Sequence, residues 1–432
     1  MKKPLCMMSI LTTLMVSSQN AVGAVPTATI APTTSIVCKS VSSYDQPNFI
    51  MNSGDRLLTK AEFNYYWGIS DEDRKYLSEF QIMLSKFKIS ILALPIPYQA
   101  ALYIDSRNNP APGRYDPLQA LENYRTQIKN LNDHGFTALD LQEIAKKMPQ
   151  GTDFFARRDH HWTSEAMEKV ADAVKITVDK LNLNIDRNAI TSLTRKVVDY
   201  GGSLADELSK ACGYTFPISE KRTFYDLSIK SNESLLGDTN NDVLLLGDSY
   251  STSYFGFDKI LSDRLKTPII NAGINGGGCC AAINGFFAEL HPEDAKPKLI
   301  IWTALMVLTN ANEMRELKPA VYQAYQQNKS LKEVTDPQIV SSSSNFNQKL
   351  DKSSRYYIKL KLSGPKVEEL HLKLDYGGKS ENIALYRKNE KQQSIYSTTF
   401  FYELKPGIDN LATINYVLKE KTDAVIGIYK YN

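Results

Sequence analysis

The chain has 432 residues, more than one ordinary domain needs, so at least two hydrophobic cores are expected. Hydrophobic residues make up 42% of the sequence and charged residues 23%, as in ordinary globular proteins. The formal net charge of +3 is small and no basic block stands out, which argues against nucleic acid as a partner.

The first 24 residues have the layout of a secretory signal peptide. Lys2 and Lys3 precede an apolar stretch over residues 5–16, and small residues lead to Ala24, after which we expect cleavage. The apolar stretch is too short to cross a bilayer, so the mature chain is expected to be exported and soluble. Residues 25–48 are rich in Thr, Pro and Ser, which predicts an N-terminal arm.

Four cysteines remain after the predicted cleavage, namely Cys38, Cys212, Cys279 and Cys280. An even number in an oxidising compartment suggests disulfides. Adjacent cysteines bridge one another only with strain, which favours Cys38–Cys212 as the structural bond. The alternative is that all four are buried thiols.

Helical periodicity and short apolar runs alternate over residues 49–330, which we interpret as one domain. Helices are predicted at residues 71–88, 118–134 and 163–181, the last with Thr163 as its N-cap. Strands are predicted at residues 89–94, 137–141, 243–246, 268–271 and 299–302. This alternation predicts an α/β domain in which helices cover both faces of a mainly parallel sheet.

Residues 340–432 have a different pattern, in which apolar and polar residues alternate between turn signals such as Gly377-Gly378 and Pro406-Gly407. This pattern predicts a small antiparallel β-sandwich. Residues 341–432 hold 15 Lys and Arg against 10 Asp and Glu, a net charge of +5. Its many tyrosines fit a strand core, and some could stack on sugar rings. The positive charge favours an anionic glycan as a partner.

Ser249 is the first candidate for chemistry. It belongs to Gly247-Asp248-Ser249, which follows the buried run at residues 243–246. Reactive groups of α/β proteins lie at the carboxyl ends of such strands. The alternative is an ordinary turn, because Gly, Asp and Ser are all common in turns.

Asp159 and His161 are the second candidates, in the segment Asp159-His160-His161-Trp162 just before a predicted helix. A carboxylate can orient an imidazole whose other nitrogen activates a serine. The alternatives are a metal site made of the two histidines or a charged helix-entry loop. Adjacent histidines in an extended segment point in opposite directions, and the other three histidines lack ligand spacing, so no metal site is expected. No cofactor is expected either.

Together, Asp-x-His-Trp-Thr at residues 159–163 and Gly-Asp-Ser-x-Ser at residues 247–251 resemble the SGNH-hydrolase-like family of alginate O-acetyltransferases. Asn271-Ala272-Gly273, which leads into the glycines at 276–278, also fits that family. In layout the chain is most similar to the periplasmic member that joins such a domain to a C-terminal carbohydrate-binding module. The resemblance covers residues 50–310 well and the remainder only in layout.

The resemblance implies a role for each matching residue. Ser249 would be the nucleophile, His161 its general base, and Asp159 the residue that orients His161. A backbone N–H of Gly277 or Gly278 would complete the oxyanion hole. The implied reaction is acetyl transfer onto a polysaccharide through an acetyl-serine.

The resemblance also implies a cellular setting. It implies a periplasmic protein with a Cys38–Cys212 disulfide, an anionic polysaccharide as acceptor, an acetyl donor supplied by another protein, and a membrane-associated polysaccharide export complex. Two other functions stay open at this point. A polysaccharide acetyl esterase would use the same three residues, and a non-catalytic glycan-binding scaffold would not use them.

Overall fold

The structure is a computed structural model. It describes residues 35–37, 48–52, 56–63, 71–104, 115–212, 220–230, 242–276, 280–290, 296–305, 311–325, 332–333, 338–340, 343–364, 367, 369–376, 378–386, 398–418 and 422–431. The predicted signal peptide and most of the predicted N-terminal arm lie outside these residues. Within them, no helix has both the length and the apolar character needed to cross a membrane.

The helices of the described residues are α1 Asp71–Lys86, α2 Gln99–Tyr103, α3 Pro117–Asp133, α4 Leu141–Lys146, α5 Ser164–Lys180, α6 Ser203–Cys212, α7 Phe257–Leu265, α8 Ala281–Glu289 and α9 Ala311–Tyr325. The strands are β1 Ser35–Val37, β2 Asn48–Asn52, β3 Arg56–Thr59, β4 Ser90–Ile96, β5 Thr137–Ala138, β6 Ile190–Tyr200, β7 Glu220–Lys230, β8 Val243–Gly247, β9 Ile269–Asn271, β10 Leu299–Leu305, β11 Lys332–Glu333, β12 Gln338–Val340, β13 Ser343–Lys349, β14 Tyr356–Leu362, β15 Glu369–Asp375, β16 Ser380–Tyr386, β17 Thr399–Glu403, β18 Asn410–Val417 and β19 Ala424–Lys430.

The central sheet has five strands in the order β5-β4-β10-β8-β9, and all four neighbouring pairs are parallel. Alternate residues of one strand enter two different cores, because successive side chains point to opposite faces. In β8, Leu244 and Leu246 pack with α1, α3, α8 and α9, whereas Val243 and Leu245 pack with α4, α5 and α7. The predicted α/β class is therefore confirmed.

The C-terminal strands form two antiparallel sheets. One has the order β11-β19-β14-β17, with β12 also paired to β19, and the other has the order β13-β18-β15-β16. Strand β15 has the predicted alternation, since Leu370, Leu372 and Leu374 are buried while His371 and Lys373 are exposed. Leucines of β15 share one core with residues of β14 and β19, so the two sheets pack face to face as predicted.

Helix α9 joins the α/β part to the C-terminal sheets. Its Leu317 and Tyr322 belong to the same hydrophobic core as Tyr357 of β14 and Phe401 of β17. The two parts therefore share buried apolar surface.

Charged residues cross the same boundary, and we call them the interface ion network: Glu79, Arg315, Lys318, Arg355, Glu381 and Glu403. Glu403 is fully buried and receives hydrogen bonds from Lys318 Nζ at 2.9 Å and from Arg355 Nε at 2.9 Å. Glu79 of α1 contacts the same two cations, at 2.7 Å from Lys318 and 2.9 Å from Arg355. Buried charges are tolerated when they are paired in this way.

Strands β6 and β7 form a separate two-stranded antiparallel arm, paired over all eleven residues of each strand. The sequence analysis did not predict these strands. Much of the arm is exposed, including Val197 and Ile229, so it lacks the apolar run or strict alternation that marks a strand packed on a core. The end of this arm that contains Tyr200 and Arg222 reaches the candidate active site.

Candidate active site

Ser249 lies just beyond the carboxyl end of β8, at the edge of the parallel sheet. Gly247, the last residue of that strand, has a φ of +140°. A Cβ at this position would lie 2.0 Å from the carbonyl oxygen of Thr303 in β10, so only glycine fits. This close approach of two strands fixes the point at which the turn carrying Ser249 leaves the sheet.

The segment after β9 supports that turn. Asn271 donates a hydrogen bond from Nδ2 to the carbonyl oxygen of Ser251 at 2.7 Å. A Cβ on Gly273 would lie 2.3 Å from Ser251 Oγ, so the absence of a side chain at Gly273 lets its backbone lie directly against Ser251. Asn271-Ala272-Gly273, part of the family resemblance, therefore lies where it can hold the serine turn in place.

The loop that carries His161 is closed by an antiparallel bridge between Phe155 and Trp162. Thr163 caps α5, as predicted, because its side chain accepts a hydrogen bond from the Ala166 N–H. Trp162 is completely buried, which anchors the loop beside the sheet. His161 directly precedes Trp162, so the buried tryptophan and its bridge to Phe155 hold the His161 backbone in place.

The structure brings the three predicted residues together, although Ser249 lies 88 residues beyond His161 in the sequence. His161 Nε2 is 2.8 Å from Ser249 Oγ, and His161 Nδ1 is 2.6 Å from Asp159 Oδ1. A carboxylate only accepts hydrogen bonds, so Nδ1 carries the proton and Nε2 is left to accept from the serine hydroxyl. This arrangement is able to activate a serine for attack on an acyl group.

Asp159 is fully buried and receives donors from several parts of the chain. Tyr200 donates its hydroxyl to Oδ2 at 2.6 Å, and Ser203 donates its hydroxyl to Oδ1 at 2.9 Å. The backbone N–H of His161 donates to Oδ1 at 3.0 Å. Arg222 Nη1 lies 3.8 Å from Oδ2. These contacts hold the carboxylate in one orientation towards His161.

The same contacts keep Asp159 ionised. Burial alone would raise the pKa of its carboxyl, but the charge and hydrogen bond of His161, the charge of His160 and the hydrogen bond from Tyr200 hold that pKa well below its ordinary value. An ionised Asp159 is able to stabilise a positive charge on the His161 imidazole.

Tyr200, Ser203 and Arg222 are functional residues that the sequence reasoning missed. Tyr200 ends β6, Arg222 lies in β7, and Ser203 opens α6. None of them belongs to a short motif with Asp159, so spacing along the chain gave no signal. The pairing of β6 with β7 brings Tyr200 and Arg222 to the same end of the arm.

Arg222 packs as a flat cation against aromatic rings. Its Cζ lies 3.8 Å from the centroid of Phe255 and 5.0 Å from that of Tyr200. Phe255 in turn packs on His161, with centroids 4.6 Å apart. Burial lowers the pKa of Arg222, and Asp159 counters that effect. The Phe255 ring therefore shields the side of His161 that it contacts from water.

His160 and His161 lie side by side, with ring centroids 3.9 Å apart. The expectation that these adjacent histidines point in opposite directions was therefore wrong, because the segment is a tight loop and not extended. Ligand atoms of Asp159, His160 and His161 lie within 4.8 Å of one another, so they could hold a metal ion. Those atoms are committed elsewhere: both His161 nitrogens are used as described above, and His160 Nδ1 lies 3.1 Å from Ser203 Oγ. We assign no metal to them.

The remaining predicted site residues are described only in part. Gly277 and Gly278 lie outside the described residues, as do Cys38 and the side chain of Cys212. Cys280 is buried and forms a disulfide, whose partner sulfur also lies outside the described residues. The alternative in which all four cysteines are free thiols was therefore wrong.

A buried carboxyl group, Glu62, lies behind the Asp159 loop. Its Oε2 accepts a hydrogen bond from the backbone N–H of Gln99 at 2.9 Å, and Gln99 Nε2 donates to the carbonyl oxygen of Asp159 at 2.7 Å. Burial raises the pKa of Glu62 to about 7, although the Gln99 N–H and the charge of Arg56 oppose the rise. This group should make stability depend on pH.

We expect Glu62→Gln to remove that pH dependence. Between about pH 4.5 and 7 the folded state keeps a proton that the unfolded chain loses, so stability falls as pH rises through this window. As the pH rises from 5 to 8, the natural chain should lose up to about 3 kcal/mol of unfolding free energy that the variant keeps. The unfolding free energy of the variant should therefore rise relative to that of the natural chain. Urea unfolding of both proteins at the two pH values measures this. A difference that stays constant or shrinks would contradict it.

Similar proteins identify the family of this chain. Residues 57–305 match the family model described as SGNH hydrolase-like domain, acetyltransferase AlgX. The matched range contains Asp159, His161 and Ser249, and it makes up more than half of the chain.

The chain belongs to this family.

Curated relatives extend the family match. The alginate biosynthesis protein AlgX of Pseudomonas putida is 26% identical over 228 residues, which cover 50% of this chain and 48% of that protein. The probable alginate O-acetylase AlgJ of Azotobacter vinelandii is 21% identical, covering 60% of this chain and 68% of that protein. The chain spans about half the length of the AlgX relatives it matches.

The solved structure of Pseudomonas aeruginosa AlgX has the same fold. It aligns with a TM-score of 0.72 over 89% of this chain and 95% of that one, at 17% identity. The similarity therefore extends beyond the family model to the C-terminal sheets. At this identity the likeness concerns the fold alone.

Proposed function

We propose that this protein is a serine-dependent O-acetyltransferase that moves acetyl groups onto hydroxyls of an exported acidic polysaccharide, alginate or a similar glycan. One observation carries the proposal: Ser249 Oγ, His161 and Asp159 form a continuous relay with distances of 2.8 and 2.6 Å. The names of the relatives, which refer to alginate biosynthesis and to an alginate O-acetylase, support the choice of substrate.

The reaction runs in two steps. First, Ser249 Oγ forms a bond to the carbonyl carbon of the acetyl donor while its proton passes to His161 Nε2, and the donor's leaving group departs with that proton. This gives acetyl-serine. Next, a sugar hydroxyl gives its proton to His161 and its oxygen attacks the ester, and Ser249 leaves with the proton. Asp159 stays ionised throughout, and no cofactor takes part.

The same proposal covers the protein's setting. The lysines and apolar stretch of residues 1–24 favour cleavage and release into the periplasm, where the glycan passes in a membrane-associated export complex and another protein supplies the acetyl donor. A structural disulfide between Cys38 and Cys212 suits that oxidising compartment. A backbone N–H of Gly277 or Gly278 is proposed to complete the oxyanion hole.

We further propose that the C-terminal sandwich, residues 340–432, binds the polysaccharide. The outer face of its four-stranded sheet has a shallow concavity of about 390 Å³. His371, Lys373, Asn382 and Asn415 line it together with exposed Val417. Amide, imidazole and ammonium groups over a shallow open surface suit the hydroxyls and carboxylates of a glycan chain.

One experiment separates the competing activities. The purified protein is incubated with a small acetyl ester, with and without an oligosaccharide rich in uronic acids, and Ser249 is examined by mass spectrometry. We expect an added acetyl group on Ser249 and acetylated oligosaccharide when the acceptor is present. If the ester is hydrolysed at the same rate with and without the oligosaccharide, and no acetylated oligosaccharide forms, the protein is an esterase instead. A Ser249 that never becomes acetylated would overturn the proposal and favour a glycan-binding scaffold.

A further inference from the structure

An aromatic cluster beside His161 consists of Tyr200, Phe224, Tyr254 and Phe255, and the proposed chemistry uses neither Phe224 nor Tyr254. The Tyr254 ring lies edge-on to Phe255 at 4.9 Å and edge-on to Phe224 at 5.5 Å. Tyr200 touches both phenylalanines, each with centroids 6.5 Å apart. Through Phe255 the aromatic cluster is in direct contact with His161.

Tyr254 is the exposed member of the aromatic cluster. Its side chain is 57% exposed, whereas Phe255 is 4% exposed. An exposed aromatic ring keeps apolar surface in contact with water, and a sugar ring stacked on it would cover that surface. Edge contacts with its two neighbours hold the ring in place, so it offers a fixed flat surface.

The β6–β7 arm adds a cation to this surface. Lys196 lies directly opposite Phe224 in the strand register, and opposed residues of an antiparallel pair share one face. Lys196 is exposed and has no ion-pair partner among the described residues. Arg222, two residues before Phe224, lies on the same face but is buried and directs its charge to Asp159, so Lys196 is the cation that faces solvent.

We propose that the Tyr254 ring is the platform on which the acceptor sugar ring stacks, with Phe224 edge-on beside it and Lys196 binding the carboxylate of that sugar or of its neighbour in the chain. This acceptor subsite rests on the proposed function and names its specificity: a polysaccharide whose sugars carry carboxylates. The apolar face of a pyranose ring covers the exposed tyrosine. Lys196 pairs with a carboxylate of the sugar, a group that a neutral glycan lacks.

The position of the subsite explains why transfer could prevail over hydrolysis. The aromatic cluster ends at His161, the base that must take the proton from the incoming hydroxyl. A sugar stacked on Tyr254 therefore holds a hydroxyl next to that base. Holding a reactant in position raises its effective concentration far above that of competing water.

The test compares Tyr254→Ala, Tyr254→Phe and Lys196→Ala in the full protein. Each is incubated with p-nitrophenyl acetate and either an oligouronic acid or a neutral oligosaccharide, and both acetylated sugar and free acetate are measured. Tyr254→Ala should lower the ratio of transfer to hydrolysis about tenfold, mainly through a higher KM for the acceptor. Tyr254→Phe keeps the ring and should retain the natural ratio within about twofold.

Lys196→Ala should raise the KM for the oligouronic acid about fivefold while leaving that for the neutral acceptor little changed, and the loss should shrink at high salt. Lys221→Ala is the matched control, because Lys221 is exposed on the opposite face of the same arm and pairs with Asp199. The subsite is overturned if Tyr254→Ala keeps the natural ratio, or if Lys196→Ala and Lys221→Ala behave alike. Absence of ester turnover in the natural protein would instead overturn the proposed function.

Discussion

Replacing Ser249 with alanine is expected to reduce acetyl transfer by at least about 10³-fold, because no other group takes over the covalent step. The hydroxyl is the group whose proton His161 Nε2 accepts, at 2.8 Å. His161→Ala should cause a loss of similar size, since the two residues act as one unit. Initial rates of acetylated oligosaccharide formation, together with the mass of the Ser249 peptide, measure both variants.

Ser253→Ala is the matched control for that result. Ser253 lies in the same turn but is exposed, and its hydroxyl donates to Asp258 at 2.9 Å. It should keep the natural rate within about threefold. If Ser249→Ala, shown to be folded by circular dichroism, transferred acetyl groups at a comparable rate, Ser249 would not be the nucleophile.

A second large effect is expected on stability at the interface ion network. Glu403→Gln keeps the shape of the side chain but removes the charge that Lys318 and Arg355 share. Lys318 is only 9% exposed there, so it would lose one of its two anions in a place that water hardly reaches. Because Glu79 still contacts both cations, we expect a loss of about 3 kcal/mol, at the low end for a broken buried pair. Urea unfolding followed by circular dichroism measures it.

Asp409→Asn provides the comparison for an exposed pair. Asp409 binds Lys352 at 2.8 Å, but more than half of each side chain is open to water. Such exposed pairs contribute little to stability, so the free energy of unfolding should change by less than the error of the measurement. Equal unfolding free energies for Glu403→Gln and Asp409→Asn would show that the interface ion network adds nothing to stability.

The parallel sheet and the three central residues of the site could be predicted because their signals are local. A buried apolar run ends at Gly247, and the sheet geometry then requires that Ser249 lies at its carboxyl edge. Thr163 marks the start of α5, so Asp159 and His161 had to lie in the loop before it. The sequence pattern did not show how close Asp159 and His161 lie to Ser249. That distance depends on how α5 and the Trp162 loop pack on the sheet. The family resemblance supplied that link.

The residues that surround Asp159 could not be predicted in this way. Tyr200 and Arg222 come from an arm whose pairing depends on contacts 20 and more residues apart, and its exposed strands lack a clear apolar face. Ser203 opens a helix after that arm. The conformation of His160 was also predicted wrongly, because it lies in the loop closed by the bridge between Phe155 and Trp162, where Tyr250 donates its hydroxyl to the His160 carbonyl oxygen.

The shared core around α9 also limits how this protein can be recombined. A chimera that grafts a different C-terminal module onto residues 49–330 would leave Leu317 and Tyr322 without Tyr357 and Phe401, which share their core. The incoming module would have to present an equivalent aromatic surface and an anion for Lys318. Exchanging individual exposed residues on the outer face of the four-stranded sheet is therefore easier than swapping the whole C-terminal part.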